Sequence, residues 1–270
     1  MNLPEFQTLK VTTEHGVLLV QLNRPEVRNA MSLAMVHELI QVMDLAAEYS
    51  LRAVVLRGEQ GHFCAGGDVQ DMVKARMQAA DATQADPYAA LNRAFGRLLQ
   101  KAEHLPCVLI VVLEGAVLGG GLGLTAVSDV AIAHHQAKFG LPETGLGLIP
   151  AQIAPFLVRR MGLTTTRRLA LLGLRFDADE ARRCGLIHEV AATDEDLQSL
   201  LEQTLQKVRQ CAPQANRVTK QLLLSSPHEA ELDGWLDRAA QHFSEAVRGA
   251  EGMEGTMAFM QKRPASWTQA

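Results

Sequence analysis

Four short runs of Val, Ile and Leu, at Val17 to Leu22, Ala53 to Leu56, Val108 to Leu113 and Val130 to Ala133, set the strongest limit on the fold. They are too short for buried helices and do not alternate with polar residues, so they read as strands covered on both faces. Between the first two, Leu33, Val36, Ile40, Met43 and Ala47 recur at helical spacing behind Ser32, whose hydroxyl suits an N-cap. Strand, helix and strand in that order predict a β-α-β unit and a largely parallel sheet in an α/β protein. From about Asp194 the strand pattern stops. Leu197, Leu201, Leu205 and Val208 mark one amphipathic helix, Leu232, Leu236, Ala239, Phe243 and Val247 a second, and Gly249 to Gln261 a third. The expected division is a core over residues 1–193 and a helical region over 194–270. Residues 76–88 (RMQAADATQADPY) are polar and Ala-rich, and read as a surface loop.

A chain of 270 residues, 47% hydrophobic and 21% charged, buries roughly three quarters of its unfolded surface and needs no disulfide or metal staple. Lys and Arg total 26 against 30 Asp and Glu, a net charge of −4, which gives no general electrostatic reason to bind nucleic acid or anionic lipid. Cys64, Cys107, Cys184 and Cys211 are scattered without a CxxC pair, so neither a metal site nor a disulfide framework is expected. The N-terminal segment lacks the apolar core of a signal peptide, and the most hydrophobic stretch, Leu105 to Ser128, is broken by Glu114 and five glycines. A cytoplasmic protein is the expectation.

Three segments carry chemistry. In HFCAGGD, His62 to Asp68, two glycines precede a helical stretch that Asp68 is placed to cap, and they let backbone N–H groups turn outward. An ordinary strand-to-helix turn is the competing reading. In EGAVLGGGLGLTAVSD, Glu114 to Asp129, Gly119 to Gly121 and Gly123 open an apolar helix whose first N–H groups favour an oxyanion or phosphate. A Gly-lined helix-packing contact fits this segment equally. In FGLPETGLGLIPAQIAPF, Phe139 to Phe156, Glu143 follows Pro142 with no basic neighbour in sequence, so burial would raise its pKa and suit it to proton transfer. A solvated loop carboxylate is the alternative.

Taken in order, LNRPEVRNAMS (Leu22 to Ser32), FCAGGD with VQDM (Phe63 to Met72), GAVLGGGLGL with AVSDVAIA (Gly115 to Ala133) and FGLPE with GLIP (Phe139 to Pro150) resemble the motifs of the crotonases, the enoyl-CoA hydratase/isomerase superfamily. DADEARRCGLIHEV (Asp177 to Val190) and GTMAFMQKR (Gly255 to Arg263) extend the resemblance over essentially the whole chain. It implies a spiral of β-β-α turns, a C-terminal helical trimerisation region, and trimers that usually pair into hexamers. It also implies that the N–H groups of Gly67 and Gly120 form an oxyanion hole for an acyl-CoA thioester. By the same resemblance, Arg24, Arg28, Ala65 and Asp68 lie in CoA-binding positions, and Phe259 and Lys262 reach a neighbouring subunit's CoA. No separate cofactor is implied, since coenzyme A is part of the substrate.

Ordinary enoyl-CoA hydratases pair two glutamates. Here Glu143 holds one position and Gly123 replaces the other. The missing side chain predicts added pocket volume beside Gly123, Gly119 and Pro142 for a branched acyl group. LNRPEVRNAMSLAMV, FCAGGD and GLIPAQIAPFLVRRMG most resemble the isohexenylglutaconyl-CoA hydratases of acyclic-terpene (citronellol, geraniol) degradation, with methylglutaconyl-CoA hydratases as near neighbours. The resemblance implies water addition to a 3-branched glutaconyl thioester. A single-glutamate enoyl-CoA isomerase and an RNA-binding crotonase homologue are the alternatives.

Overall fold

In a computed structural model, residues 3–68, 70–71, 87–225, 234, 236–237, 243, 245, 247 and 249–268 are described. The main sheet has the order β1-β2-β3-β4-β6-β9. Its strands are β1 (Leu9–Glu14), β2 (Val17–Leu22), β3 (Ala53–Gly58), β4 (Val108–Leu113), β6 (Val130–His134) and β9 (Glu189–Ala191). Only the β1/β2 pair is antiparallel; each later strand joins its neighbour in parallel. A second sheet of β5 (Ala116–Leu118), β7 (Lys138–Gly140) and β8 (Arg175–Phe176) branches from the first, with β5 and β7 parallel.

The helices in chain order are α1 (Leu33–Glu48), α2 (Pro87–Glu103), α3 (Gly120–Ala126), α4 (Ala154–Met161), α5 (Leu163–Leu171), α6 (Ala178–Arg183), α7 (Asp194–Gln210), α8 (Pro213–Leu224) and α9 (Ala250–Met260). Ser32 caps α1 as expected, its Oγ accepting from Met35 N at 3.2 Å. The buried face of α1 is centred on Met35, Leu39, Val42 and Ala46, so Ala47 is exposed.

Residues on β3 and β4 alternate between two cores, as a pleated strand requires. Val54, Leu56, Leu109 and Val111 face the core that includes α1 and α2. Ala53, Val55, Ile110 and Val112 face Leu197, Leu201, Leu205 and Val208 of α7. The first helix of the expected helical region, α7, therefore packs into the core of the sheet. A mostly parallel sheet with apolar residues on both faces must be covered twice, and α7 is the second cover. Arg52, at the start of β3, fixes the end of α7 by donating to the carbonyls of Val208, Arg209 and Cys211 at 3.2, 2.7 and 2.9 Å.

Residues 76–86 of the expected loop lie outside the described residues, and Pro87 opens α2. Most of the helix expected around Leu232 to Val247 also lies outside them. Among the described residues, no helix is long and apolar enough to cross a membrane.

Candidate active site

Three extended segments run side by side and end at the same place. β5 pairs in parallel with β7, bringing Leu118 opposite Gly140, and a parallel bridge joins Cys64 to Val117. The chain therefore leaves these segments at Gly66–Gly67, Gly119–Gly120 and Pro142–Glu143 along one edge. The crevice beyond the carboxyl ends of parallel strands is where open α/β sheets place their ligands.

Gly66 adopts φ +106° and Gly119 φ +47°, conformations that favour glycine. Gly119 N donates to Gly140 O at 3.1 Å, tying the Gly-rich turn to the end of β7. Gly120 begins α3, so its N–H has no intrahelical acceptor. Around Gly67, Met31 N donates to Gly66 O at 2.8 Å and Asp68 N to Met31 O at 3.0 Å. These two bonds flank Gly67 and leave its own N–H on the opposite side. Among the described residues, neither the Gly67 nor the Gly120 N–H has a backbone acceptor.

Glu143 follows Pro142 at the start of a 3-10 turn, Glu143–Leu146. Its carboxylate lies against the bare α-carbon of Gly119, where a Cβ would stand 2.9 Å from Oε1 and 3.7 Å from the Gly66 Cα. Oε2 is buried with no hydrogen-bond partner among the described residues. Native proteins rarely leave a buried acceptor unpaired, and such groups concentrate where a ligand or water completes them. Burial pushes the Glu143 carboxyl above the usual carboxylate range, opposed in part by a backbone hydrogen bond. A basic carboxylate beside free backbone donors can move a proton next to a polarised carbonyl.

The remaining expected site residues fall into separate groups. Ala65 lies in the cluster's first loop, its N–H donating to Arg28 O at 3.0 Å. Arg28 is exposed, with φ +50°. Arg24 and Asp68 are joined to each other by an ion pair of 2.7 Å. Phe259 lies on α9, its side chain outside the described residues, and Lys262 is exposed just beyond. No described hydrogen bond or ion pair links Lys262 to the cluster.

Gly123 requires a correction. The space expected beside it is filled: a Cβ there would stand 2.6 Å from Ile153 Cγ2 and 3.3 Å from both Leu99 Cδ1 and Phe95 Cε1. The glycine admits a close approach of α2 and the residue preceding α4 onto α3. The helix-packing reading therefore applies to Gly123, while Gly119 and Gly120 face the carboxylate and the Phe95 ring.

Sequence reasoning did not single out Asn29, Phe95, Leu99 or Ile153. Asn29 is fully buried, accepts from Arg24 N at 2.8 Å and donates to the carbonyls of Glu59 and His62 at 3.1 and 2.6 Å. Its place inside NRPEVRNA was the available signal. Phe95, Leu99 and Ile153 carried none, since only tertiary packing brings them to Gly123.

The sequence matches the family described as Enoyl-CoA hydratase/isomerase over residues 12–270. It is 32% identical over 257 residues to the 2,3-dehydroadipyl-CoA hydratase of Escherichia coli (strain K12), covering 94% of this chain and 96% of that protein. Among solved structures, Pseudomonas aeruginosa AtuE is 56% identical, with a TM-score of 0.93 across 97% of this chain and 100% of that one. An enoyl-CoA hydratase/isomerase from Marinobacter aquaeolei is 54% identical, with a TM-score of 0.92 across 97% of this chain and 99% of that one. A family match running from residue 12 to the last residue, with a relative 32% identical along nearly all of both chains, makes this chain a member of the enoyl-CoA hydratase/isomerase family and a lyase of the enoyl-CoA hydratase type.

Proposed function

We propose that this enzyme adds water across the 2,3-double bond of a 3-branched glutaconyl-CoA thioester, isohexenylglutaconyl-CoA in acyclic-terpene catabolism, using Glu143 alone as acid and base. The observation that carries the mechanism is the buried, unpartnered Oε2 of Glu143, with Oε1 against the Gly119 backbone. The N–H groups of Gly67 and Gly120 polarise the thioester carbonyl and hold the enolate. Removing one such donor typically costs about 10²- to 10³-fold in rate. Glu143 takes a proton from water as the oxygen bonds to C3, and the same carboxyl returns a proton to C2 on the same face. The product is a 3-hydroxy-3-branched glutaryl-CoA. Coenzyme A serves as the handle of the substrate, and no further cofactor enters the reaction.

The hydrocarbon surroundings of Gly123 support the one-carboxylate mechanism, because Phe95, Leu99 and Ile153 fill the place of a second acid. They give no support to a pocket enlarged at that point, so the choice of a branched substrate rests on the resemblance in the segments that begin at Leu22, Phe63 and Gly147. One base with a hydrocarbon wall opposite also suits an isomerase, which takes a proton from one carbon and returns it to another. A panel of straight and 3-branched enoyl-CoAs, with and without a distal carboxylate, separates these readings by product mass. The expected result is a gain of one water, greatest for the branched glutaconyl thioesters. An isomerised product of unchanged mass would replace the hydratase assignment.

Assembly as a homotrimer or a dimer of trimers belongs to the same proposal, with Phe259 and Lys262 next to a partner's site. Met253, Met257 and Met260 form an exposed stripe on α9, and Leu223 is exposed on α8. Apolar surface of this kind marks an interaction face. The acyl-CoA substrate is the small-molecule partner, and the protein acts in the cytoplasm.

A further inference from the structure

Between the segment that begins at Asn23 and the Gly66–Gly67 loop runs a charge pair that the catalytic mechanism does not use. Arg24 Nη1 lies 2.7 Å from Asp68 Oδ2, and the same nitrogen donates to Ala30 O at 2.8 Å. The side chains are 19% and 8% exposed, so the pair is largely withdrawn from water. Asp68 Oδ1 also accepts from Gln70 N at 2.8 Å, which fixes the carboxylate from the other side. Backbone bonds from Met31 to Gly66 and from Asp68 to Met31 then leave Gly67 as the residue between two anchored neighbours.

We infer that Arg24 and Asp68 are positioning residues for the Gly67 N–H: their pairing holds the loop so that this donor faces the thioester oxygen, and Arg24 is not a ligand of the CoA phosphates. The inference rests on the reading of Gly67 as an oxyanion-hole donor. Three physical arguments support it. The Asp68 carboxylate, 2.7 Å from Arg24 Nη1, offsets the guanidinium's positive field and so weakens its pull on a mobile phosphate. A partly buried pair costs more to break than an exposed one, because the remaining charge is left without its partner. Finally, a donor displaced by about 1 Å loses catalytic effect on the order of 10²-fold even when the fold survives.

The test uses the whole protein and a chromophoric probe, the para-dimethylaminocinnamoyl thioester, in its CoA and its pantetheine forms. A conjugated thioester polarised by two N–H donors absorbs further to the red, and this signature reports donor placement without requiring turnover. At saturation, wild type is expected to shift both probes. Arg24→Gln and Asp68→Asn are expected to lose about half of the shift or more, equally for both probes, while Arg24→Lys keeps most of it. The thermal midpoint is measured alongside, and Asp68→Asn carries the test if Arg24→Gln fails to fold.

A phosphate ligand predicts the opposite pattern: Arg24→Gln weakens binding of the CoA probe alone and leaves the shift at saturation intact, and Asp68→Asn tightens CoA binding by freeing Arg24. That pattern overturns the inference. If wild type itself shifts neither probe, the oxyanion-hole reading fails and the positioning role fails with it. A failure of the branched-substrate assignment, by contrast, shows only in the product-mass panel and leaves the spectral result standing.

Discussion

Glu143 presses its carboxylate against the bare α-carbon of Gly119, where a Cβ would come within 2.9 Å of Oε1. This contact joins the end of β7 to the Gly-rich turn after β5. It explains why the turn has no side chain at the point where the proposed base approaches it.

Glu143→Gln is expected to lower kcat by about 10²- to 10⁴-fold, the usual range for a general acid–base group. The amide keeps the shape of the side chain, so binding of an unreactive acyl-CoA should change little. Steady-state kinetics and calorimetric titration check both. Near-wild-type kcat would remove Glu143 from the mechanism.

Because burial holds the Glu143 carboxyl above the usual carboxylate range, the acid limb of kcat/KM should lie above that range as well. The sign for stability is opposite to that of a paired carboxylate. Just above the ordinary carboxylate pKa, the folded state binds more protons than the unfolded state, so stability falls as pH rises through the raised value. Glu143→Gln should therefore have a Tm no lower than wild type at neutral pH, and its advantage should vanish in acid. Thermal melts across pH measure this directly.

Gly123→Ala is expected to destabilise the protein without selecting among substrates. The new methyl meets Ile153 Cγ2 at 2.6 Å, and a β-branched side chain cannot swing that group away freely. Overpacking costs about 1–3 kcal/mol, while the gain in helix propensity is about 1 kcal/mol, so a net loss is expected. Ile153→Ala in the same chain should recover part of it, giving a coupling energy in a double-mutant cycle. Losses of kcat/KM confined to branched thioesters would restore the pocket-volume reading of Gly123.

Light scattering at micromolar concentration should give a trimer or hexamer. Met253→Glu with Met257→Glu, two of the three residues of the exposed stripe on α9, should shift the mass toward monomer. A stable wild-type monomer would exclude the proposed assembly and the sharing of Phe259 and Lys262 between subunits.

Four strands of the main sheet, β2, β3, β4 and β6, were legible in the sequence, whereas β1 and β9 were not. β2 and β4 coincide with the runs Val17 to Leu22 and Val108 to Leu113, because strands buried on both faces are written as unbroken apolar residues. The Ser32 cap was legible for the same local reason, as its partner is three residues away. The small sheet of β5, β7 and β8 was not, although it carries the candidate site. Its strands are two or three residues long, too short for any periodicity.

By itself the sequence determined four strands of the main sheet, the single carboxylate at Glu143 and the glycine at 123. Only the tertiary structure decided that Gly66–Gly67, Gly119–Gly120 and Glu143 meet, that Arg24 pairs with Asp68, and that Phe95, Leu99 and Ile153 close the space beside Gly123. The reason is physical. A strand or a cap is set by neighbours within a few residues, whereas parallel pairing joins residues far apart in the chain. Whether a missing side chain leaves a cavity depends on the volumes that the other helices bring to it.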